Sequence, residues 1–211
     1  MAPAHWHKFI RVMITAFPVS KGCLIFILMT DPAAGILCVA DPFLKDPNFM
    51  RTVVLLTEHH EEGTIGFVIN RQYENTLDEL LPEMAGHKLP VYYGGPVQMD
   101  TVHFLHRYPK EIPGGVEVVE GVYWGGNFDA VIDLIKEGSA DISRIRFFIG
   151  YSGWGKGQLD TEMNEKTWLT TQATRQLIFH QSASEIWKDA LKQMGGEYEM
   201  MINFPIDPQL N

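Results

Sequence analysis

The residues best placed to do chemistry sit in Gly150-Tyr-Ser-Gly-Trp-Gly-Lys-Gly157, directly after the apolar run RIRFFI. Gly150, Gly155 and Lys156 have the spacing of a phosphate-binding loop, in which backbone N–H groups cradle phosphates and a lysine reaches the terminal oxygens. The eighth position, where a hydroxyl must hold magnesium, is Gly157, and Trp154 puts a bulky ring where phosphates need close backbone approach. The segment also brushes against the nucleophile-elbow pattern, but Trp154 stands where the last glycine of G-x-S-x-G belongs. The expectation is therefore a sharp aromatic turn, with glycines supplying positive φ and the rings of Tyr151 and Trp154 folded onto the core.

Histidines offer a second chemistry. His103 and His106 lie three apart on a strand-like run and so point to opposite faces, and the neighbours His59 and His60 likewise diverge. No metal-ligand set and no cofactor motif follows from these spacings. A third possibility is polar. Glu58-His59 closes one β-rich run and Asn70-Arg71 the next, so hairpin pairing puts them at opposite ends. Near Arg71, the Asp46-Pro47-Asn48 turn invites either a structural clamp or an anion pocket, and the clamp is the simpler reading. The candidate binding residues are Glu58, His59, Asn70, Arg71, Tyr151, Trp154 and Gln158.

The elements that must position them are legible as strands and helices in mixed order. GILCVA (35–40), TVVLLTEH (52–59) and TIGFVIN (64–70) read as strands, the last two joined through HEEG as a four-residue hairpin loop. Four consecutive apolar residues, Val53 to Leu56, imply a strand covered on both faces. PVYYGGPV, TVHFLH and GVEVVEGVYWGG supply further strands and turns. Thr76 and Glu79 fit a capping box on a short helix; Asn127 caps a helix closing at Gly138; Ser182 and Glu185 suggest a capping box on a helix stopping at Gly195.

Length and charge bound the rest. At 211 residues, with 45% apolar and 20% charged residues, the chain can build one substantial core. The net charge is −9; residues 1–30 hold three cations and no acid, which leaves −12 on the remainder. So acidic a body is poorly suited to general nucleic-acid binding. Two cysteines outside any CxxC spacing point to a reducing cytoplasm. No apolar run reaches the ~20 residues that span a bilayer, so no membrane is expected. Residues 1–30 read as an extension outside the fold, with Met29 as an alternative start and a secretory signal the less favoured view; residues 31–211 read as one α+β domain.

Taken together, ADPFLKDPNFMRTVVLLTEHHEEGTIGFVINR, PVYYGGPV, FLH and GYSGWGKGQLDTE resemble the bacterial AlgH/YqgE family in order and content, over about residues 33–200. The resemblance implies a compact α+β domain whose mixed, mostly antiparallel sheet bifurcates into a pseudo-barrel with flanking helices. It implies no established catalysis and no cofactor, and the regulator label carried by some members rests on no DNA-binding motif in this chain. The family's pattern falls on Glu58, His59, Asn70, Arg71, Gly94, Gly95, Pro96, Tyr151, Trp154, Gln158 and Glu162. Departures are Asp160, where Glu is usual, Gln72, where Pro is common, and the extension before Asp31. Two functions stand open: a non-enzymatic binding or regulatory protein acting through protein partners, on a surface made by the GGP and GYSGWG segments, or a small-ligand binder or enzyme with a polar site near His59 and Tyr151.

Overall fold

The computed structural model describes residues 30–205, with the backbone of 13–14 and 28–29. The expectations for the N-terminal extension, its alternative start and its signal otherwise fall outside the described residues. Ten strands form one sheet: β1 (Ile36–Ala40), β2 (Val53–His60), β3 (Gly63–Val68), β4 (Gln72–Thr76), β5 (Pro90–Tyr93), β6 (Val97–His106), β7 (Val116–Val119), β8 (Val122–Trp124), β9 (Ile145–Gly155) and β10 (Trp168–Gln172). The main order is β10-β1-β2-β3-β9-β6-β8-β7, with β5 joined to β9 and β4 to β5. Helices α1 (Leu77–Leu80), α2 (Phe128–Lys136), α3 (Gln158–Asn164), α4 (Arg175–Ile178), α5 (Ile186–Met194) and α6 (Glu197–Met201) flank it. The fold is α+β.

The sheet forks on its longest strand. Phe147 to Ile149 of β9 run parallel to Val91–Tyr93 of β5, whereas Ser152 to Gly155 pair antiparallel with Gly66 to Gly63 of β3. Two strands thus share one side of β9 and diverge from it. The crossing needs glycine on both chains. A Cβ on Gly94 would lie 2.3 Å from the Gly150 carbonyl oxygen, and one on Gly150 would lie 2.6 Å from that of Gly95. Gly150 also has φ 66°, which disfavours any L side chain. GYSGWG is therefore strand rather than turn: its one bend is at Gly150, and pairing continues through Gly155.

Both faces are covered, which explains the unbroken run Val53–Leu56. Leu37, Val39, Val53, Leu55, Phe67 and Ile69 face a core shared with α4, α5 and α6. Cys38, Val54, Leu56 and Val68 face the opposite way, beneath Trp154, Leu159 and Trp168. A third cluster packs α1 and α2 onto β5, β6 and β9. The sheet curls until β7 meets the start of β1, where Gly35, at φ 86°, has the Val118 carbonyl oxygen 2.6 Å from where a Cβ would sit.

Of the three expected helix caps, those of α1 and α2 form. Asn127 Oδ1 accepts from the Ala130 amide and caps α2, and Glu79 accepts from the Thr76 amide at α1. The hairpin at HEEG is tighter than four residues: His60 pairs with Gly63, leaving Glu61 and Glu62 as the loop. The box at Ser182 does not form. The Ser182 hydroxyl meets that of Ser184 at 3.1 Å, and Glu185 binds Lys188 instead.

Candidate functional site

The hairpin places His59 opposite Thr64, and Thr64 opposite Trp154 on β9. The next row is Glu58, Ile65 and Gly153. Adjacent rows of a sheet point to opposite faces, so His59 shares a face with Trp154 and Glu58 lies on the other. Ile65 and Tyr151 both pack toward the core shared with α4 to α6, whereas Trp154 belongs to the cluster under α3. A single pocket containing Glu58, His59, Tyr151 and Gln158 is thus split by the sheet itself.

On the His59 side lies a hollow of about 310 Å³, lined by residues including His59, Thr64, Gly155, Gly157 and Asp160. His59 Nδ1 is 2.8 Å from Thr64 Oγ1. Beyond it, Glu162 of α3 accepts from Trp154 Nε1 at 2.9 Å and from Trp168 Nε1 at 2.8 Å, through the same oxygen. Its second oxygen accepts from Gln158 Nε2 at 2.9 Å, while Gln158 Oε1 accepts from the Gly155 amide. Phe49 stacks on Trp154 and meets Trp168 edge-on. Beneath this cap the Cys38 thiol is fully buried, and burial, aided by the Glu162 charge, pushes its pKa far up, so it carries no thiolate chemistry.

Asn70 and Arg71 stand at the other end of the hairpin. Asn70 Oδ1 accepts from the Val53 amide, and its Nδ2 donates to the Arg51 carbonyl. Arg71 donates to the Pro47 and Met50 carbonyls at 2.8 and 3.1 Å. Asp46 is occupied with the Asn48 amide. Together these bonds fasten loop 46–51, which carries Phe49 over the tryptophans. Arg51, at φ 54°, donates to the Phe204 carbonyl and lies over the Trp187 ring.

The remaining chemistry-bearing groups have structural partners or apolar surroundings. Ser152 is fully buried and donates to the Gly94 carbonyl at 3.0 Å. His106 is buried; its Nε2 contacts the Gly125 carbonyl and its Nδ1 accepts from the Tyr108 amide, so it is the Nε2–H tautomer. His103 lies on the opposite face between Phe67 and Tyr151, and its Nε2 is buried without a partner. Burial lowers the pKa of both, opposed at His106 by the Gly125 bond. No group of three or more potential metal ligands clusters among the described residues. Gly94 and Gly95 are buried against Gly150 and Tyr151 at the fork, while Pro96, Gly153 and Gly155 of the same two segments are exposed.

Sequence reasoning passed over Arg146. Its signal is an arginine within the strand itself, between Ile145 and Phe147, both buried. Among the described residues, no helix is long and apolar enough to cross a membrane.

A family model described as AlgH-like matches residues 37–199. A UPF0301 protein of Chlorobium limicola is 43% identical over 177 residues, covering 84% of this chain and 95% of that one. One from Bacteroides thetaiotaomicron is 38% identical over 181 residues, covering 85% and 92%. Among solved structures, the solution structure of AlgH from Pseudomonas aeruginosa is similar with a TM-score of 0.65 at 30% identity, covering 82% of this chain and 94% of that one. A Corynebacterium diphtheriae protein has a TM-score of 0.68 at 22% identity, covering 83% and 94%, a likeness of fold alone. The family match runs from β1 into α6, and the chain belongs to the AlgH-like family.

Proposed function

We propose that the protein is a non-enzymatic binding protein that acts through a protein partner, which adds an extended segment to the open side of β6. The observation that carries this reading is a one-sided strand. On the side away from β9, β6 has no partner from Val97 to His103, because β8 pairs only with Leu105 and His106. Residues 98–101 also bulge out of the pairing with β9, between Val97–Tyr151 and Val102–Ile149, with Gln98 at φ 49°. Gln98, Met99 and Asp100 are exposed there, with Met99 at 37%. Unpaired N–H and C=O groups beside an exposed apolar side chain suit strand addition. The neighbouring buried groups support a role without catalysis, since Ser152 and His106 spend their polar atoms on backbone. The net acidity favours a basic or neutral partner.

The test is site-specific photocrosslinking from position 99, with position 165 on an exposed turn as control. A protein captured at 99 and not at 165, which binds the purified chain and loses binding to Asp100→Pro, supports the reading. Equal capture at both positions, or binding untouched by Asp100→Pro, overturns it.

A second reading rests on the hollow beside His59, which suits a small polar ligand reaching Thr64 and Asp160. Its test is the His59 ring resonance under a screen of nucleotides and sugars; a resonance that stays still throughout removes it.

A further inference from the structure

Arg146 poses an electrostatic problem that its protein neighbours do not solve. The side chain is 5% exposed. Its Nη1 donates to the Ile69 carbonyl at 2.8 Å and its Nη2 to the His180 carbonyl at 2.6 Å, and its Cζ lies 4.2 Å from the centre of the Tyr92 ring. A guanidinium has five N–H groups, so three have no hydrogen-bond partner among the described residues. Carbonyl dipoles and a ring face offset part of the lost hydration, yet none carries a negative charge, and a buried cation without a counter-ion is unfavourable. Among the described residues the ion pairs involve His180, Lys188 and Lys192, never Arg146. Burial lowers its pKa only to about 10, so it remains a cation at neutral pH.

The same arginine borders a cavity of about 240 Å³. Leu89, Tyr92, Phe147 and Phe179 supply apolar walls; Ser143 and Gln181 are polar; no Asp or Glu is part of the lining. His180 also borders the cavity, but its Nε2 faces Asp189 at 3.3 Å and adds no free charge.

We propose that this cavity binds a small apolar carboxylate, its anionic end on the Arg146 guanidinium and its hydrocarbon body against Leu89, Phe147 and Phe179. A monoanion fits better than a phosphate. One planar guanidinium matches one carboxylate, whereas a dianion calls for further cations or converging amides that these walls do not offer. The apolar lining selects an acid with a hydrocarbon body over a hydroxylated one. This site is separate from the open side of β6, so its fate does not depend on the protein-partner reading.

The test is an amide and arginine side-chain NMR titration of the full chain with benzoate, set against benzamide, which has the same ring and no charge. The expected result is saturable shifts at Tyr92, Phe147, Phe179 and the Arg146 side chain, with benzamide about tenfold weaker or more, the scale of a lost charge-assisted bond. Arg146→Gln is expected to weaken benzoate by a similar factor. Because that variant replaces a buried group and can fail to fold, Gln181→Trp, an exposed position on the lining, provides the second arm by obstructing the cavity. Absent or non-saturating shifts, equal binding of benzamide, or benzoate binding that survives Gln181→Trp in a folded protein overturns the proposal.

Discussion

Trp154 donates its indole N–H to Glu162 at 2.9 Å, a bond that ties the far end of β9 to α3 across the turn at Gly157. Trp168 donates to the same oxygen from β10. A single carboxylate therefore joins three elements, and both rings it serves are buried.

Removing that acceptor leaves two buried N–H donors unsatisfied, at roughly 1–3 kcal/mol each before relaxation. Glu162→Ala is expected to lower unfolding free energy by about 2–4 kcal/mol in urea titrations. Glu162→Gln keeps an accepting oxygen and loses less. Equal losses for the two variants would show that charge, not acceptance, is what the indoles require.

The fork predicts a sharper response. Gly150→Ala meets both a φ of 66° and the Gly95 carbonyl, and Gly94→Ala would drive a methyl to 2.3 Å from the Gly150 oxygen. Each is expected to cost more than about 3 kcal/mol, because backbone on both chains must move. Gly157→Ala has the same sign of φ, 68°, but nothing within 4 Å, so its cost is conformational alone, about 1–2 kcal/mol. Soluble yield and thermal midpoint of the three variants, ranked in that order, check the assignment.

Asn70 separates a clamp from a ligand pocket. Asn70→Ala removes both of its bonds to the strand end and to Arg51, so amide exchange is expected to accelerate at Val53 and across residues 46–51. The predicted stability loss is about 1–3 kcal/mol. Inorganic phosphate that restores protection in this variant would indicate an anion site instead.

His103 and His106 set the expected pH response. Both have folded pKa values below the ordinary 6.5. Between the lowered values and 6.5 the unfolded chain binds more protons than the folded one, so stability rises with pH there. Their contribution is present above pH 6.5 and is lost as the pH falls below it. His103→Phe keeps the ring contacts with Phe67 and Tyr151 and deletes the unpartnered Nε2. It is expected to be neutral or stabilising at pH 7.5, and stabilising at pH 5.5 by comparison with the parent chain. A steeper acid loss in His103→Phe contradicts the proposed orientation of the ring's buried nitrogen.

Much of this architecture is visible in one dimension. The run Val53–Leu56 announces a strand covered twice, and Asn127 announces α2, because both signals act through near neighbours in the chain. Helix α3 lacks such signals for the complementary reason. Gln158–Asn164 buries only Leu159 and shows no apolar stripe, so its stability comes from Glu162 reaching two tryptophans that belong to other strands. At GYSGWG the glycine density suggested a turn, but these glycines serve a backbone crossing whose other half lies at Gly94 and Gly95, more than fifty residues earlier.

Amino-acid order alone determined the α+β class, the hairpin of β2 and β3, and the opposed facing of His103 and His106, since periodicity and turn chemistry are local. Only the tertiary structure decided which polar side chains share a space. It turned Tyr151 toward the core shared with α4 to α6 and Trp154 toward α3, and it enclosed Arg146 beside a cavity assembled from β5, the start of β9 and the segment after α4. Those distances depend on how a forked sheet curls, and packing between remote segments sets that curl.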